Sequence, residues 1–392
     1  MGKRRTMGGL SLILTVILLL TGMATPATAV GSTEGVSLDL ACRSAVLMEA
    51  STGRVLYAQN AEEAMPPASV TKIMTLLLVM EALEEGKLTW DTPVTASAHA
   101  ASMGGSQIYL KEGETMTVRD LIKSVVIASA NDAAVALAEH VMGSEEAFVR
   151  RMNERAAELG MRSTRFENTN GLDDTAQNHV TSALDIALMS RALIAHKEIL
   201  TYSSTWMDSI RDGTFGLTNT NRLVRFYRGC NGLKTGSTAK AGFCVSATAE
   251  RDGMTLICVI MGAESRDIRN AAAQRLLDWG FASYGVYTAV AGTLEAIPVL
   301  RGETDEVKLS YPSFSAVLPK ADMGTVEFSV TLPERLTAPV RRGEAVGKIT
   351  YTCKGECIGE VPILAAETSE AIGFFKLWRR MLRGMLTLYG GQ

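Results

Sequence analysis

Three short groups in this 392-residue chain have the residue types and order for acyl-transfer chemistry: Ser69-Val70-Thr71-Lys72, Ser129-Ala130-Asn131 and Lys234-Thr235-Gly236-Ser237. A serine hydroxyl attacks a carbonyl only when a base takes its proton. On a helix, positions i and i+3 share a face, so Lys72 can lie beside Ser69. An ammonium is not a base. Lys72 therefore has to be neutral part of the time, which burial and the like charge of Lys234 would favour by lowering its pKa. Ser129 can pass a proton between Lys72 and a leaving amine, and Asn131 can hydrogen-bond a substrate amide. Lys234 and Thr235 would hold a free terminal carboxylate. Gly236 has no side chain, so an extended substrate could lie against its strand and add to the sheet edge. The backbone N–H groups of Ser69 and Ser237 are the candidate oxyanion-hole donors.

Each group alone is weak, because a lone serine at a helix start is ordinarily a cap. Their settings add weight. Pro66-Pro67 stops the preceding element, and Ser69 to Leu83 carries Ile73, Leu76, Leu77 and Met80 at helical spacing, so Ser69 is expected in the first turn of a helix. Val118 to Val141 reads as two helices joined at Ser129-Ala130-Asn131-Asp132. Further helices are expected at Glu145 to Leu159, Thr181 to His196 and Ala271 to Trp279, with Phe166 to His179 as a loop. Cys42 to Ala58 reads as a β-hairpin turning at Ser51-Thr52-Gly53-Arg54. Leu233 to Thr235, Gly242 to Ala249 and Met254 to Gly262 read as strands, the last two joined by a turn at Glu250-Arg251-Asp252-Gly253. From about 288 to 367 short β-rich runs take over, among them Val307 to Tyr311, Val326 to Leu332 and Gly347 to Tyr351.

The ends of the chain bear on location. Lys3-Arg4-Arg5, the apolar run Leu10 to Leu20 and Ala27-Thr28-Ala29 have the three-part layout of a secretory signal peptide, with cleavage expected after Ala29. Its loss removes three cations and no acids, taking the formal net charge from −3 to −6. A mildly acidic body has no basic field for nucleic acid, which is excluded as a partner. At the other end, residues 374–386 place Phe374, Phe375, Leu377, Trp378, Met381, Leu382, Met385 and Leu386 among Lys376, Arg379, Arg380 and Arg383. An apolar face backed by cations suits an interfacial helix on an anionic bilayer, and the segment is too short and too charged to span one.

Neither a metal nor a cofactor is expected. The four histidines, His99, His140, His179 and His196, lack metal-binding spacing, and the six cysteines offer no paired CxxC ligands. In an exported protein disulfides are permitted, and a local bridge between Cys353 and Cys357 is conceivable. Cys244 and Cys258 sit in apolar runs and read as small buried hydrophobes.

From Cys42 to Ala263 the chain resembles the low-molecular-weight penicillin-binding proteins of the D-alanyl-D-alanine carboxypeptidase type, peptidase family S11. The resemblance is carried by the three groups together, by Phe166-Glu167-Asn168-Thr169-Asn170-Gly171-Leu172 and by Lys234 through Gly242. It implies an α+β fold of the serine β-lactamase and penicillin-binding-protein type, with an antiparallel sheet and a helical subdomain. The implied layout is a signal peptide over 1–29, a catalytic domain over 30–287, a small all-β domain over 288–367 and an amphipathic anchor over 368–392. It also implies the activity: loss of the terminal D-alanine from peptidoglycan stem peptides through a Ser69 acyl-enzyme, with β-lactams as inhibitors, at the outer face of the cytoplasmic membrane. Two departures are Ala130, where many relatives have glycine, and Ser237 after the Lys-Thr-Gly. Glu167 keeps open the alternative of a class A β-lactamase, which needs a glutamate to activate water. An endopeptidase or transpeptidase would use the same acyl-enzyme.

Overall fold

The computed structural model describes residues 38–173 and 176–389. The expected leader, residues 1–29, lies outside them. A five-stranded antiparallel sheet forms the centre of the catalytic region, in the order Val55–Gln59, Ser44–Glu49, Met254–Ala263, Gly242–Arg251, Cys230–Thr238. The first hairpin closes because the Glu49 carboxylate accepts the backbone N–H and hydroxyl of both Ser51 and Thr52, while Gly53 supplies φ +74°. The middle strands read as unbroken apolar runs because both faces are covered. Val46, Met48, Ile257 and Val259 face the helical subdomain, whereas Leu47, Leu256, Cys258 and Ile260 pack under the helix Arg266–Ser283.

The helix Lys72–Glu84 is buried nearly all round, which its run of Ile73, Met74, Leu76, Leu77, Leu78, Val79 and Met80 requires. Ser69 does not sit in the first α-helical turn. It lies in a 3-10 turn, Ala68–Thr71, that leads into that helix, with Ala68 at φ +49°. The expected helix pair is present as Val118–Ile127 and Asn131–Met142, followed by Glu145–Glu158 and Ala183–Ala195. Side-chain caps set several starts: Thr117, Ser144, Ser182 and Ser265 each accept the backbone N–H three residues on. The Ser265 cap starts the last helix of the catalytic region at Arg266, five residues before the expected Ala271, because its polar first turn hides the apolar period. Two small ribbons, Pro93–Thr95 with Thr115–Thr117 and Met207–Ile210 with Phe215–Thr218, are too short to show a period in the sequence.

After the helix Arg266–Ser283, the strand Tyr284–Ala289 pairs with Phe314–Pro319. A six-stranded sheet then runs in the order Val326–Thr331, Ala345–Cys353, Glu356–Ala365, Glu306–Tyr311, Gly292–Leu300, Leu336–Thr337. Its core holds Ile297, Leu309, Ile349, Tyr351, Val361 and Ile363. The conceivable Cys353–Cys357 bridge is absent: Cys353 stands opposite Glu356 and Cys357 opposite Thr352, so the two thiols project from opposite faces, one buried and one exposed. All six cysteines are unpaired, and Cys244 and Cys258 are fully buried. The tail forms the helix Phe374–Tyr389, with Phe374, Phe375 and Trp378 exposed. Two of its cations meet acids of the preceding β region, Lys376 with Glu303 and Arg380 with Asp305. Among the described residues no helix is long and apolar enough to cross a membrane.

Candidate active site

The edge strand Cys230–Thr238 and the 3-10 turn at Ala68–Thr71 meet at Gly236. A Cβ there would come within 2.8 Å of the Ser69 backbone N and 2.9 Å of Pro67 O. The glycine is thus needed by the turn packed against the strand as well as by any approaching substrate, which corrects the simpler reason drawn from sequence. A second glycine holds the turn from the other side. Gly171, at φ +84°, would place a Cβ 1.9 Å from Ala68 O.

Ser69 is half-buried and Lys72 wholly buried. Lys72 Nζ lies 3.0 Å from Ser69 Oγ, 2.6 Å from Asn131 Oδ1 and 2.8 Å from the carbonyl oxygen of Asn170. Both of the latter are acceptors only, so they hold two amine hydrogens and leave the third position of the nitrogen directed at the serine hydroxyl. When Lys72 is neutral that position is a lone pair. Burial, then the charge of Lys234, lower its pKa well below the ordinary lysine value, while Asp132 opposes them. Asn131 Nδ2 donates one hydrogen to Gly104 O at 2.7 Å and keeps one for a ligand.

Lys234 Nζ donates to Ser129 Oγ at 2.8 Å and to Thr235 O at 2.9 Å. The Ser129 hydroxyl therefore faces Lys234, and no hydrogen bond joins it to Lys72 as the relay read from sequence supposed. Ser129 takes φ +64°, a strained conformation that aims its short side chain across the cleft. Burial and the nearby Arg269 guanidinium lower the pKa of Lys234 to about 7. Thr235 Oγ1 bonds Thr220 Oγ1 at 2.8 Å, and Ser237 is exposed at the strand's outer end.

Asn170, Thr220 and Arg269 were not singled out by sequence reasoning. Asn170 sits in an Asn-Thr-Asn-Gly run whose turn chemistry was visible: Asn168 Oδ1 accepts the N–H groups of Asn170 and Gly171. What the turn serves was not. Glu167, the tempting lactamase-type glutamate, turns away from the serine. Its carboxylate accepts the backbone N–H groups of Gln177 (2.8 Å) and Asn178 (3.1 Å), and those bonds lower its pKa.

His179 closes the loop behind the nucleophile. Its Nδ1 accepts from the Glu167 N–H, so Nε2 carries the proton donated to Thr71 Oγ1, whose own hydroxyl donates to Ala68 O. Burial lowers its pKa to about 4. Between that value and the ordinary histidine value of about 6.5 the native state binds fewer protons than the unfolded chain, so stability rises with pH across the window. Acidification from neutral to about pH 4 is expected to cost about 3 kcal/mol through this group. Urea midpoints across the window should show that slope in the wild type and its loss in His179→Gln; equal slopes would refute it.

A family model described as D-alanyl-D-alanine carboxypeptidase matches residues 29–265, and one for the penicillin-binding protein 5 C-terminal domain matches residues 289–371. The chain is 40% identical over 347 residues to the D-alanyl-D-alanine carboxypeptidase DacF of Bacillus subtilis, covering 87% of this chain and 89% of the relative. Among solved structures it is similar to penicillin-binding protein 5 from Haemophilus influenzae, at TM-score 0.73 and 29% identity over 86% of this chain and 99% of that one. It is also similar to penicillin-binding protein D2 from Listeria monocytogenes in the ampicillin-bound form, at TM-score 0.58 and 34% identity over 63% of this chain and 100% of that one.

Proposed function

From the premise that this chain belongs to the D-alanyl-D-alanine carboxypeptidase family and is a serine-type enzyme of that activity, we propose that Ser69 carries the acyl group and Lys72 is its base. The observation that supports this most is the buried Lys72 amine, held by two oxygen acceptors with its remaining position on Ser69 Oγ. The serine attacks the carbonyl of the penultimate D-alanine of a peptidoglycan stem, and its proton passes to the neutral Lys72. The resulting oxyanion lies between the backbone N–H groups of Ser69 and Ser237. The terminal carboxylate is held by Lys234 and Thr235, with the Arg269 charge beneath. The free Asn131 N–H binds a stem amide, and the stem lies along the strand at Gly236.

Ser129 gives its hydroxyl proton to the leaving amine and recovers one from Lys234, which donates to it in the resting enzyme. The relay so drawn runs through the second lysine, and the net charge of the lysine pair is unchanged. Water then takes the place of the departed D-alanine and releases the shortened stem. β-Lactams, which place a strained amide at the same carbonyl position, acylate Ser69 and block it. Mass spectrometry of a purified pentapeptide after incubation tests the reading: loss of one D-alanine is expected, and an unchanged peptide would overturn it.

The sequence pattern supports export, action outside the cytoplasm and attachment through residues 374–386. The exposed Phe374, Phe375 and Trp378 supply the apolar contact, and the tail's cations suit anionic lipid. The catalytic domain is taken as 30–287, the β domain as 288–367 and the anchor as 368–392. Truncation before Phe374 is expected to yield an enzyme that no longer sediments with anionic vesicles and labels with penicillin at an unchanged rate. Retention on vesicles would exclude this anchor.

A further inference from the structure

Beyond the reacting groups, the loop from Gly104 to Leu110 walls one side of the cleft. Asn131 donates its backbone N–H to Ser106 O and its side-chain amide to Gly104 O. Further out, the buried Asp132 carboxylate accepts the N–H groups of Ile108 (3.1 Å) and Leu110 (3.0 Å), and Arg211 Nη1 donates to Ile108 O at 2.8 Å. These bonds clamp the backbone on both sides of Tyr109, which takes φ +59°. A left-handed conformation is rare for a bulky residue and persists only where its surroundings impose it. The outcome here is an aromatic ring turned out of the protein, 66% exposed.

Tyr109 does not stand alone. Its ring meets Phe215 edge-on at 6.3 Å, and Arg211 stacks over Phe215 at 5.4 Å. Phe215 and Arg211 flank the turn of the ribbon Met207–Ile210 and Phe215–Thr218, whose far end leads to Thr220, the partner of Thr235. The two rings line a hollow of about 630 Å³ together with Lys111, Glu112, Glu114 and Arg211. Arg211 and Glu114 pair with each other, and the lining carries two charges of each sign, so it selects for neither anion nor cation. Aromatic rings among balanced polar groups suit a neutral ligand with an apolar face and hydroxyls at its edge, which is the character of a pyranose ring.

We propose that Tyr109 and Phe215 form a shelf that stacks on a sugar ring of the glycan strand bearing the stem peptide, a specificity site that rests on the carboxypeptidase reading. An extended five-residue stem spans at most about 17 Å. The loop that bears Tyr109 is held to Asn131 through Gly104 and Ser106, and the ribbon that bears Phe215 leads to Thr220 beside Thr235. The shelf therefore adjoins the cleft, on the side where the proposal places the sugar end of a stem whose carboxylate is at Lys234. The rings favour carbohydrate-linked stems over free ones, acting on binding and leaving the acylation step alone.

The test compares release of D-alanine from a free pentapeptide and from the same peptide linked to its disaccharide. The wild type is expected to favour the linked substrate about tenfold in kcat/KM, through KM. Tyr109→Gly keeps the backbone conformation without strain and should bring the ratio close to one, while Tyr109→Phe should retain it. Penicillin labelling of Ser69 in Tyr109→Gly reports that the catalytic centre is intact. A wild type with no preference, or a Tyr109→Gly enzyme that loses both substrates equally, would overturn the shelf and leave the carboxypeptidase reading standing. Release of D-alanine from neither substrate by the wild type would overturn both.

Discussion

A Lys72→Met enzyme is expected to acylate about 10²- to 10⁴-fold more slowly than the wild type, the usual contribution of a positioned general base. Methionine keeps most of the volume of the buried side chain and removes the amine that lies 3.0 Å from Ser69 Oγ. The substitution leaves Asn131 Oδ1 and the Asn170 carbonyl without this donor, at roughly 1–3 kcal/mol each. Against that, it ends the burial of an ionisable amine, so a folded protein is expected. The pH dependence carries the sign. Wild-type acylation should rise with pH as Lys72 loses its proton, because only the neutral amine accepts from serine and burial favours that form. In Lys72→Met this limb should vanish. The rate of covalent labelling by a fluorescent penicillin over a pH series measures both effects, and a variant within tenfold of the wild type would remove Lys72 from the role of base.

Lys234→Met should reduce kcat/KM for a free-carboxylate substrate by roughly 30- to 3000-fold, the range for truncating one partner of a buried charge pair. The loss should fall on KM, since Lys234 would hold the ground-state carboxylate, and on kcat, since Lys234 also returns the proton that Ser129 gives to the leaving amine. A C-terminally amidated peptide separates this from general damage. The wild type should strongly prefer the carboxylate, and Lys234→Met should have nearly lost that preference; a variant that still discriminates would assign carboxylate binding elsewhere. The free enzyme's Lys234 is lowered to about 7 by burial and Arg269. Its ammonium is therefore present below that value and lost as pH rises through it, so wild-type kcat/KM should fall on the alkaline side. A bound carboxylate favours the charged lysine, and the same limb in kcat should appear at higher pH. With the opposite requirement at Lys72, the kcat/KM profile should be a bell whose two sides belong to two lysines.

The three-residue spacing of Ser69 and Lys72 was legible because it is a property of one turn of backbone. The 3-10 geometry found there still brings the two groups to 3.0 Å. The strand carrying Lys234 and the helix break at Ser129 were equally visible, since turn residues and apolar periods announce them locally. So was the direction of the Lys72 shift, which follows from two lysines expected in one buried site. Chain segments that meet only through packing were not legible. The Asn170 carbonyl reaches Lys72 across 98 positions, and it arrives because Gly171 lets the loop press against Ala68. Ser129 was expected beside Lys72 and is found on Lys234, a choice made by the φ +64° of one residue between two helices.

By itself, then, the sequence determined which residues could react and in what order they lie, because types and short spacings are local facts. Only the tertiary structure decided which lysine each hydroxyl faces, why Gly236 admits no side chain and where Glu167 spends its carboxylate. Those outcomes depend on ångström distances between segments far apart in the chain. Such distances follow from how the whole core fills space, and no local pattern encodes them.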